Sequence, residues 1–342
     1  MESRDMASRI TVSAPAARPK ATTSPAAASS TPTAAKEPLR MRREPYRERA
    51  GAREPYQDPW LYDWEYRRRT RDVAFYRMLA DEQGGPIADL GCGSGRVLVP
   101  LARDGHKVVG VDLSGAMLRR AQQRLTRAGR LVAGRAVLAQ GDLRALPLGT
   151  AGAAVRAGGR ARQGGGFPFM LCAFHTIQHL VDDADLLALF RQVRRLLTPT
   201  GWFAFDVFVP HPDWLNHPAH RRFDHIIFRD PVTRARTEYS VSHVLDRSRQ
   251  ALHMRFHYRS LDPGGGREPA GGATRTVRLC HRQLDPGTVE TLAAAAGLRT
   301  LSRWASFEGL ALDPANPHLT EQHIYLLGPE STGRTRAKSA IS

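Results

Sequence analysis

The stretch IADLGCGSGRVLVPLARDGHKVVGVDLS, residues 87–114, decides the fold of this chain. A short apolar run leads into three alternating glycines, and a second apolar run ends at an acid. These residues are Gly91, Gly93, Gly95 and Asp112. A strand, a glycine-rich turn and a helix in succession expose backbone N–H groups to a ligand, because glycine carries no Cβ. An acid that ends the next strand can accept both hydroxyls of a ribose. The pattern therefore predicts a ligand with an adenosine-like ribose.

Strand and helix patterns alternate from this stretch as far as residue 208. Strands are predicted at residues 87–90, 107–112, 135–140, 170–174 and 202–208. Helices are predicted at residues 95–103, 115–128 and 182–197, and Ser114 is placed to cap the second of them. Strands that alternate with helices indicate a parallel sheet covered on both faces.

The flanking regions differ from this alternation. Apolar residues between Trp60 and Leu79 follow helical spacing, which predicts an N-terminal helix. Residues 223–284 carry strand patterns separated by turn-rich breaks, which predicts an antiparallel sheet. A helix and two strands are expected to rejoin the main sheet, at residues 286–296, 299–306 and 323–327. We therefore expect an α/β protein with a Rossmann-like seven-stranded sheet and an antiparallel β-sheet inserted after strand five.

The domain organisation follows from these patterns. Residues 1–45, rich in Ala, Pro and Ser, and residues 331–342 are expected to be disordered. Between them we expect a helical lid, an α/β core, the antiparallel insertion and a return to the core sheet, at residues 46–85, 86–210, 211–284 and 285–330. Residues 149–166 have no apolar pattern and are either an irregular insertion or a local sequence error. Whether the tail is a transit peptide or precedes a true start at Met41 stays open.

Composition argues against several classes of protein. The net charge is +17, but all except four of the 50 basic residues are arginine and they are spread along the chain, so a nucleic-acid surface is not expected. Apolar runs are too short for a membrane span, and the N-terminus lacks a secretory core. Cys92, Cys172 and Cys280 lack the spacing of zinc ligands, and they predict reduced thiols in the cytoplasm.

The ligand class follows from five motifs in order. Dinucleotide-binding loops carry G-x-G-x-x-G, but Arg96 stands where the third glycine would be. DLGCGSG instead resembles the first motif of class I S-adenosylmethionine-dependent methyltransferases. The later motifs of that family are resembled by VVGVDLSGAMLRRAQ, AQGDLRALPL, LCAFHTIQHL and LLTPTGWFAFDV. The similarity spans residues 60–327 and extends to small-molecule members that methylate amines of sugars and amino acids.

The resemblance implies S-adenosylmethionine as the cofactor and assigns residues to its parts. Asp89 would face the ammonium group, Arg71 would pair with the carboxylate, and Asp112 would hold the ribose. Asp142 would accept from the adenine amino group, unless it is a turn-forming acid. Met117 would flank the adenine, unless it is ordinary helix core. The full implied set is Arg71, Asp89, Gly91, Cys92, Gly93, Gly95, Asp112, Leu113, Met117, Gly141, Asp142, Leu143, Ala173 and Phe174.

Histidines and tyrosines define the expected acceptor side. An amine or hydroxyl acceptor must lose a proton, and histidine is the natural base. The resemblance implies that His179 is that base, with a packing histidine as the alternative, and that Tyr62 reaches the methionine end or the acceptor. Tyr66, His175 and His281 are implied to bind the substrate. No metal ligand set is expected.

We therefore expect in-line transfer of a methyl group to a small-molecule acceptor, an amine or a hydroxyl. The antiparallel insertion is implied to cover the acceptor, and it is a possible homodimer interface. Two alternatives stay open. One is a nucleic-acid methyltransferase, which the charge suggests but the lack of a Pro-Pro pair after strand four opposes. The other is a cofactor-binding homologue without catalysis.

Overall fold

The computed structural model describes residues 54–148, 166–262, 274–313, 315–317 and 320–330. The predicted tails at residues 1–45 and 331–342 lie outside the described residues, and so does nearly all of the irregular segment 149–166.

Two sheets are formed by the described strands. The main sheet has seven strands: Ile87–Leu90 (β1), Val108–Asp112 (β2), Ala136–Gln140 (β3), Phe167–Cys172 (β4), Leu197–Phe208 (β5), Leu298–Trp304 (β10) and Gln322–Pro329 (β11). The second sheet has four strands: Phe223–Arg229 (β6), Arg236–Asp246 (β7), Ala251–Ser260 (β8) and Thr274–Arg282 (β9). The predicted seven-stranded sheet and the separate antiparallel sheet after strand five are both confirmed.

The main sheet has the order β3-β2-β1-β4-β5-β11-β10. Its first five strands in the chain run parallel, and β11 lies antiparallel between β5 and β10. The chain order reverses between β1 and β4. Open α/β sheets bind their ligands at such a switch point, beyond the carboxyl ends of the strands. The topology therefore places the glycine-rich turn after β1 beside the residues that follow β4.

Helices cover both faces of this sheet. Their bounds are Pro59–Glu65 (α1), Arg71–Gln83 (α2), Leu98–Arg103 (α3), Gly115–Ala128 (α4), Arg130–Ala133 (α5), Asp183–Leu196 (α6), Pro212–Leu215 (α7) and Pro286–Ala295 (α8), with 3₁₀ turns at Glu54–Gln57 and Thr176–His179. One apolar cluster packs α6 and α8 against the strands, and a second packs α2 and α3 against them. Burial of these two clusters fixes the layered core.

Several predicted boundaries were wrong, among them the starts of strands four and five, which lie at Phe167 and Leu197 rather than at residues 170 and 202. The single N-terminal helix is two helices, since α1 ends at Glu65 and α2 starts at Arg71. The helix expected from residue 95 begins at Leu98, because Gly95 has φ +79° and belongs to the turn. The fourth strand ends at Cys172 rather than residue 174, because Phe174 has φ +60°.

The second sheet is an antiparallel meander in the order β6-β7-β8-β9. Leu61 of α1 packs in an apolar cluster with Phe228, Tyr239 and Val241 of this sheet. Trp64 stacks on Phe228 with ring centroids 4.6 Å apart. The helix α1 therefore joins the second sheet to the edge of the core where the glycine-rich turn lies.

Candidate active site

The glycine-rich turn uses its three glycines differently. Gly91 has φ +75°, and a Cβ there would lie 2.3 Å from Thr176 Cγ2. Gly95 is packed against Val99 and Ala121, where a Cβ would come within 3.2 and 3.3 Å of their side chains. A Cβ on Gly93 would meet nothing within 4 Å. Gly93 is therefore the glycine that faces open space for a ligand, whereas Gly91 and Gly95 are required by packing.

Asp112 lies at the end of β2, as the sequence predicts. Its Oδ2 accepts from the backbone N–H of Gly93 at 2.8 Å, and its Oδ1 accepts from the N–H of Ser114 at 2.7 Å. Burial raises the pKa of Asp112, and these two N–H donors oppose the rise. The carboxylate is thus held at the rim of the turn with lone pairs still available for hydroxyl groups.

Asp89 supplies a second acid beneath the turn. Its side chain is buried, and Oδ2 has no hydrogen-bond partner. Burial raises its pKa to about 7, against the opposing charge of Arg96. A buried oxygen without a partner is unfavourable unless a donor arrives. Asp89, the open face at Gly93 and the carboxylate of Asp112 together fit an aminoacyl nucleoside such as S-adenosylmethionine.

The remaining predicted cofactor residues fall into two groups. Those that serve mainly in packing are Cys92, Met117, Gly141, Leu143 and Ala173. Asp142 forms an ion pair with Arg144 at 2.5 Å, and Leu113 keeps 38% of its surface exposed beside the end of β2. The adenine assignments of Met117, Asp142 and Leu143 stay predictions.

A polar clamp that the sequence did not predict closes over the glycine-rich turn. Asp63 of α1 accepts from Ser94 Oγ at 2.5 Å and from Arg120 Nε at 2.6 Å. Arg124 Nη1 lies 3.3 Å from the same carboxylate. These contacts hold residues 54–66, which we call the lid, against the turn and α4. No sequence pattern signals the clamp, because Asp63 is 31 or more positions away from each residue that it contacts.

Arg71 lies at the rim and is not directed to the turn. Its guanidinium pairs with Glu308 at 3.1 Å, and 83% of its side chain is exposed. Arg96 is instead buried against Asp72, with Nη1 2.8 Å from Oδ1. Arg69 lies over the ring of Phe174 at 4.5 Å. Arg96 and Arg69 therefore lie nearer than Arg71 to the residues after β4, and a carboxylate bound there would meet them first.

The residues after β4 adopt an unusual backbone. Phe174 and His175 both have φ +60°, which non-glycine residues rarely adopt. The N–H of Phe174 donates to Asp206 Oδ1 at 2.8 Å, and Asp206 is completely buried. His175 Nδ1 lies 3.0 Å from Asp206 Oδ2. Strained conformations of this kind cluster at functional sites.

The three predicted histidines come together here in different settings. His179 Nε2 contacts Tyr56 Oη at 2.7 Å, and burial lowers the pKa of His179 to about 4. The rings of His179 and His281 are 4.9 Å apart. His175 and His281 line the large cavity, whereas His179 lies behind Tyr56. Tyr56, which the sequence analysis did not single out, therefore separates the predicted base from the cavity.

The cavity has a volume of about 1010 Å³ and lies between the lid, the end of β4 and the second sheet. Aromatic rings dominate its walls: Tyr56, Tyr62, Tyr66, Phe174, Phe208, Trp214, Tyr239, Phe256, Tyr258 and Phe307. The predicted tyrosines Tyr62 and Tyr66 meet Phe174 with centroids 6.2 and 4.7 Å away. Tyr62, Tyr66, His175 and His281 are thus brought together as the sequence predicts.

Comparison with known proteins agrees with this geometry. The family described as "Methyltransferase domain" matches residues 87–201. The matched residues include the glycine-rich turn, Asp112, the residues after β4 and the start of β5.

Curated relatives and solved structures are also similar to this chain. The putative methyltransferase YqeM of Bacillus subtilis (strain 168) is 29% identical over 123 residues, which cover 36% of this chain and 42% of that protein. The CcbJ methyltransferase from Streptomyces caelestis is 21% identical with a TM-score of 0.58, over 76% of this chain and 90% of that one. CalS10, an amino pentose methyltransferase from Micromonospora echinaspora, is 18% identical with a TM-score of 0.54, over 78% and 95% of the two chains. The structural likenesses show a shared fold around the methyltransferase domain.

The described part of the chain was also compared with the requirements of a membrane-spanning helix and of a metal site. No helix there is both long and apolar enough to cross a bilayer. No three His, Cys, Asp or Glu side chains converge there as a metal site.

Proposed function

We propose that the chain transfers a methyl group from S-adenosylmethionine to an amine or hydroxyl of a small molecule held in the aromatic cavity. The observation that carries the proposal is the position of this cavity, which adjoins His175 and Phe174 at the switch point of the main sheet. Asp89, Gly93 and Asp112 would hold the cofactor, which supplies an electrophilic methyl group on a sulfonium. The chain's own contribution is to orient the acceptor, exclude water and take up a proton.

The shape of the cavity favours a small acceptor over a polymer. Its walls come from the lid on one side and from β7, β8 and β9 on the other, so the acceptor is covered from above. The aromatic part of this lining is typical of small-molecule sites, and the charged side chains beside it can orient a polar acceptor. A nucleic acid would require an open, continuous basic surface.

Glu65 favours an amine acceptor. It lines the cavity, and its Oε1 accepts from Tyr258 Oη at 2.7 Å. Burial raises the pKa of Glu65 to about 7, against the opposing effect of Tyr258. A carboxylate among aromatic rings attracts a cationic amine both by charge and through the ring faces. CalS10, whose fold is shared, is an amino pentose methyltransferase, which is consistent with an amine acceptor here.

The test is a transfer assay with methyl-labelled S-adenosylmethionine. The panel would contain amino sugars, aromatic amines, amino acids, hydroxylated counterparts of each, and RNA. We expect label in one or more small amines or alcohols, and none with the Asp112→Ala variant. Labelling of RNA alone would overturn the proposal. The homodimer through the second sheet and the cytoplasmic location stay predictions, which sedimentation and fractionation would test.

A further inference from the structure

The pairing of His175 with Asp206 has no counterpart in the sequence predictions, which gave the proton transfer to His179. We propose that His175, oriented by Asp206, is the group that takes the proton from the acceptor, with Nδ1 toward Asp206 and Nε2 toward the cavity. This inference rests on the proposed function and names the base within it.

Asp206 is built as a permanent anion. Its side chain is completely buried on β5, and its Oδ1 accepts from Tyr76 Oη at 2.6 Å and from the N–H of Phe174 at 2.8 Å. Burial alone would raise the pKa of Asp206, but His175 and Tyr76 hold it lowered to about 2. A buried carboxylate with this many donors stays ionised, because each donor favours the charged form.

That anion fixes the orientation of the imidazole. His175 Nδ1 lies 3.0 Å from Asp206 Oδ2, at ion-pair distance but outside regular hydrogen-bond geometry, so the negative charge of the carboxylate favours a proton on Nδ1. The lone pair of Nε2 then faces away from Asp206. Because His175 lines the cavity, Nε2 is the nitrogen that an acceptor can reach. An acid that holds an imidazole in one tautomer and stabilises its charged form is the role of the aspartate in hydrolase triads.

The two neighbouring histidines lack such a partner. His179 Nε2 is already engaged by Tyr56 Oη. His281 lines the cavity, but the ionisable groups that act on it are His179 and His175, and both disfavour its protonation. Protonation of either would place a charge in a buried site with no facing carboxylate, which is costly. Among the three, His175 is the one whose charged form the structure stabilises.

The other ionisable groups facing His175 keep it ready to accept a proton. Burial lowers the pKa of His175 first, Asp206 opposes this, and the charges of Arg69 and Asp72 act in opposite directions. His281 and His179 lie on its other side and are themselves neutral because burial lowers the pKa of each. His175 is therefore neutral near pH 7, which is the form that a base needs.

Atoms, electrons and protons are all conserved in the transfer step. The acceptor nitrogen or oxygen forms a bond to the methyl carbon while the carbon–sulfur bond breaks, and that electron pair goes to sulfur. The acceptor proton passes to His175 Nε2, and the imidazolium pairs with Asp206 until the proton leaves to solvent. Nothing further is oxidised or reduced.

The test combines a titration with kinetics on the full-length chain. Imidazole pKa values are measured by NMR without an acceptor, in the wild type and in Asp206→Asn. We expect the pKa of His175 to fall in the variant, because its facing anion is removed. If Asp206→Asn fails to fold, Tyr76→Phe serves instead, and it should raise the pKa of His175 because Asp206 loses a donor. An unchanged His175 titration in the folded variant would overturn the pairing, even if no acceptor is known.

The kinetic arm uses an acceptor found in the labelling screen. His175→Gln should lower kcat by about 10²- to 10⁴-fold with an unchanged Kd for S-adenosylhomocysteine. His179→Gln is the matched control and should lower kcat by about tenfold or less. The acid limb of the kcat profile should move to lower pH in Asp206→Asn. A larger kcat loss in His179→Gln than in His175→Gln would assign the base to His179, whereas a wild type that binds the cofactor but labels nothing would contradict the proposed function itself.

Discussion

Asp63 in the lid accepts a hydrogen bond from Ser94 in the glycine-rich turn, with 2.5 Å between Oδ1 and Oγ. The same carboxylate holds Arg120 of α4 at 2.6 Å. The lid, the turn and α4 are thus joined through one side chain. A cofactor bound under the lid can leave only when this joint opens.

The first prediction concerns that joint. Asp63→Ala should speed release of S-adenosylhomocysteine by about 5- to 150-fold, since charge-assisted hydrogen bonds contribute about 1–3 kcal/mol. Stopped-flow displacement measures the rate. Asp81→Ala, which removes an exposed partner of His106, is the control and should leave the rate unchanged. Equal release rates in both variants would show that the lid does not hold the cofactor.

Substitutions of two glycines in the turn should differ in whether they lower the unfolding free energy or the cofactor affinity. Gly91→Ala forces a Cβ to 2.3 Å from Thr176 at φ +75°, and we expect a loss of about 2–4 kcal/mol of unfolding free energy. Gly93→Ala meets open space and should cost about 1–2 kcal/mol through its positive φ. Urea denaturation measures both.

The loss of cofactor affinity should be larger in Gly93→Ala than in Gly91→Ala, which is the reverse of their order in lost stability. Calorimetry with S-adenosylhomocysteine should find a greater loss for Gly93→Ala, because its Cβ points into the ligand space. Adding Thr176→Ala to Gly91→Ala should restore part of the stability, and a lack of any restoration would contradict the packing role of Gly91.

Asp89 should make the stability of the ligand-free protein depend on pH. Its pKa is about 7 in the folded state and about 3.9 when unfolded, so the folded state binds the extra proton between these values. Stability from this group is therefore present at low pH and is lost as pH rises toward 7. In the wild type, the unfolding free energy should fall by about 2–4 kcal/mol between pH 5 and pH 8 because of this group, and Asp89→Asn should remove that fall. Urea denaturation at both pH values measures it, and a wild type and variant with parallel pH dependence would show that Asp89 is not the cause.

Two arginine variants test whether Arg71 pairs with the cofactor carboxylate or is a solvated charge. Arg96→Ala leaves buried Asp72 with only the more distant guanidinium of Arg69, at 3.8 Å, and should cost about 3–5 kcal/mol. Arg71→Ala removes an exposed pair and should cost less than about 0.5 kcal/mol. We expect Arg71→Ala to bind S-adenosylmethionine normally in calorimetry. A large loss of affinity there would restore the sequence-based role of Arg71.

Much of the core could be predicted because its signals are local. Apolar runs predict the strands, and the position of Asp112 at the end of β2 follows directly from the apolar run before it. The start of α3 was predicted too early, because Gly95 adopts a positive φ that cannot be read from the sequence.

The rest of the site depends on contacts between distant segments. His175 and Asp206 are 31 positions apart, and Tyr76 and Asp206 are 130 apart, so no spacing rule joins them. His179 attracted the catalytic assignment because its motif is recognisable. Tyr56 covers it from a segment without a periodic pattern, and this decides which histidine the cavity reaches.

The second sheet enters and leaves the core beside the acceptor cavity, after β5 and before α8, while the cofactor residues stay on the main sheet. We therefore expect the part of the acceptor lining that comes from the second sheet to be separable from the cofactor residues, whereas the lid contacts both. Randomising only the inward positions of β7, β8 and β9 offers a route to new acceptors that keeps the donor machinery intact.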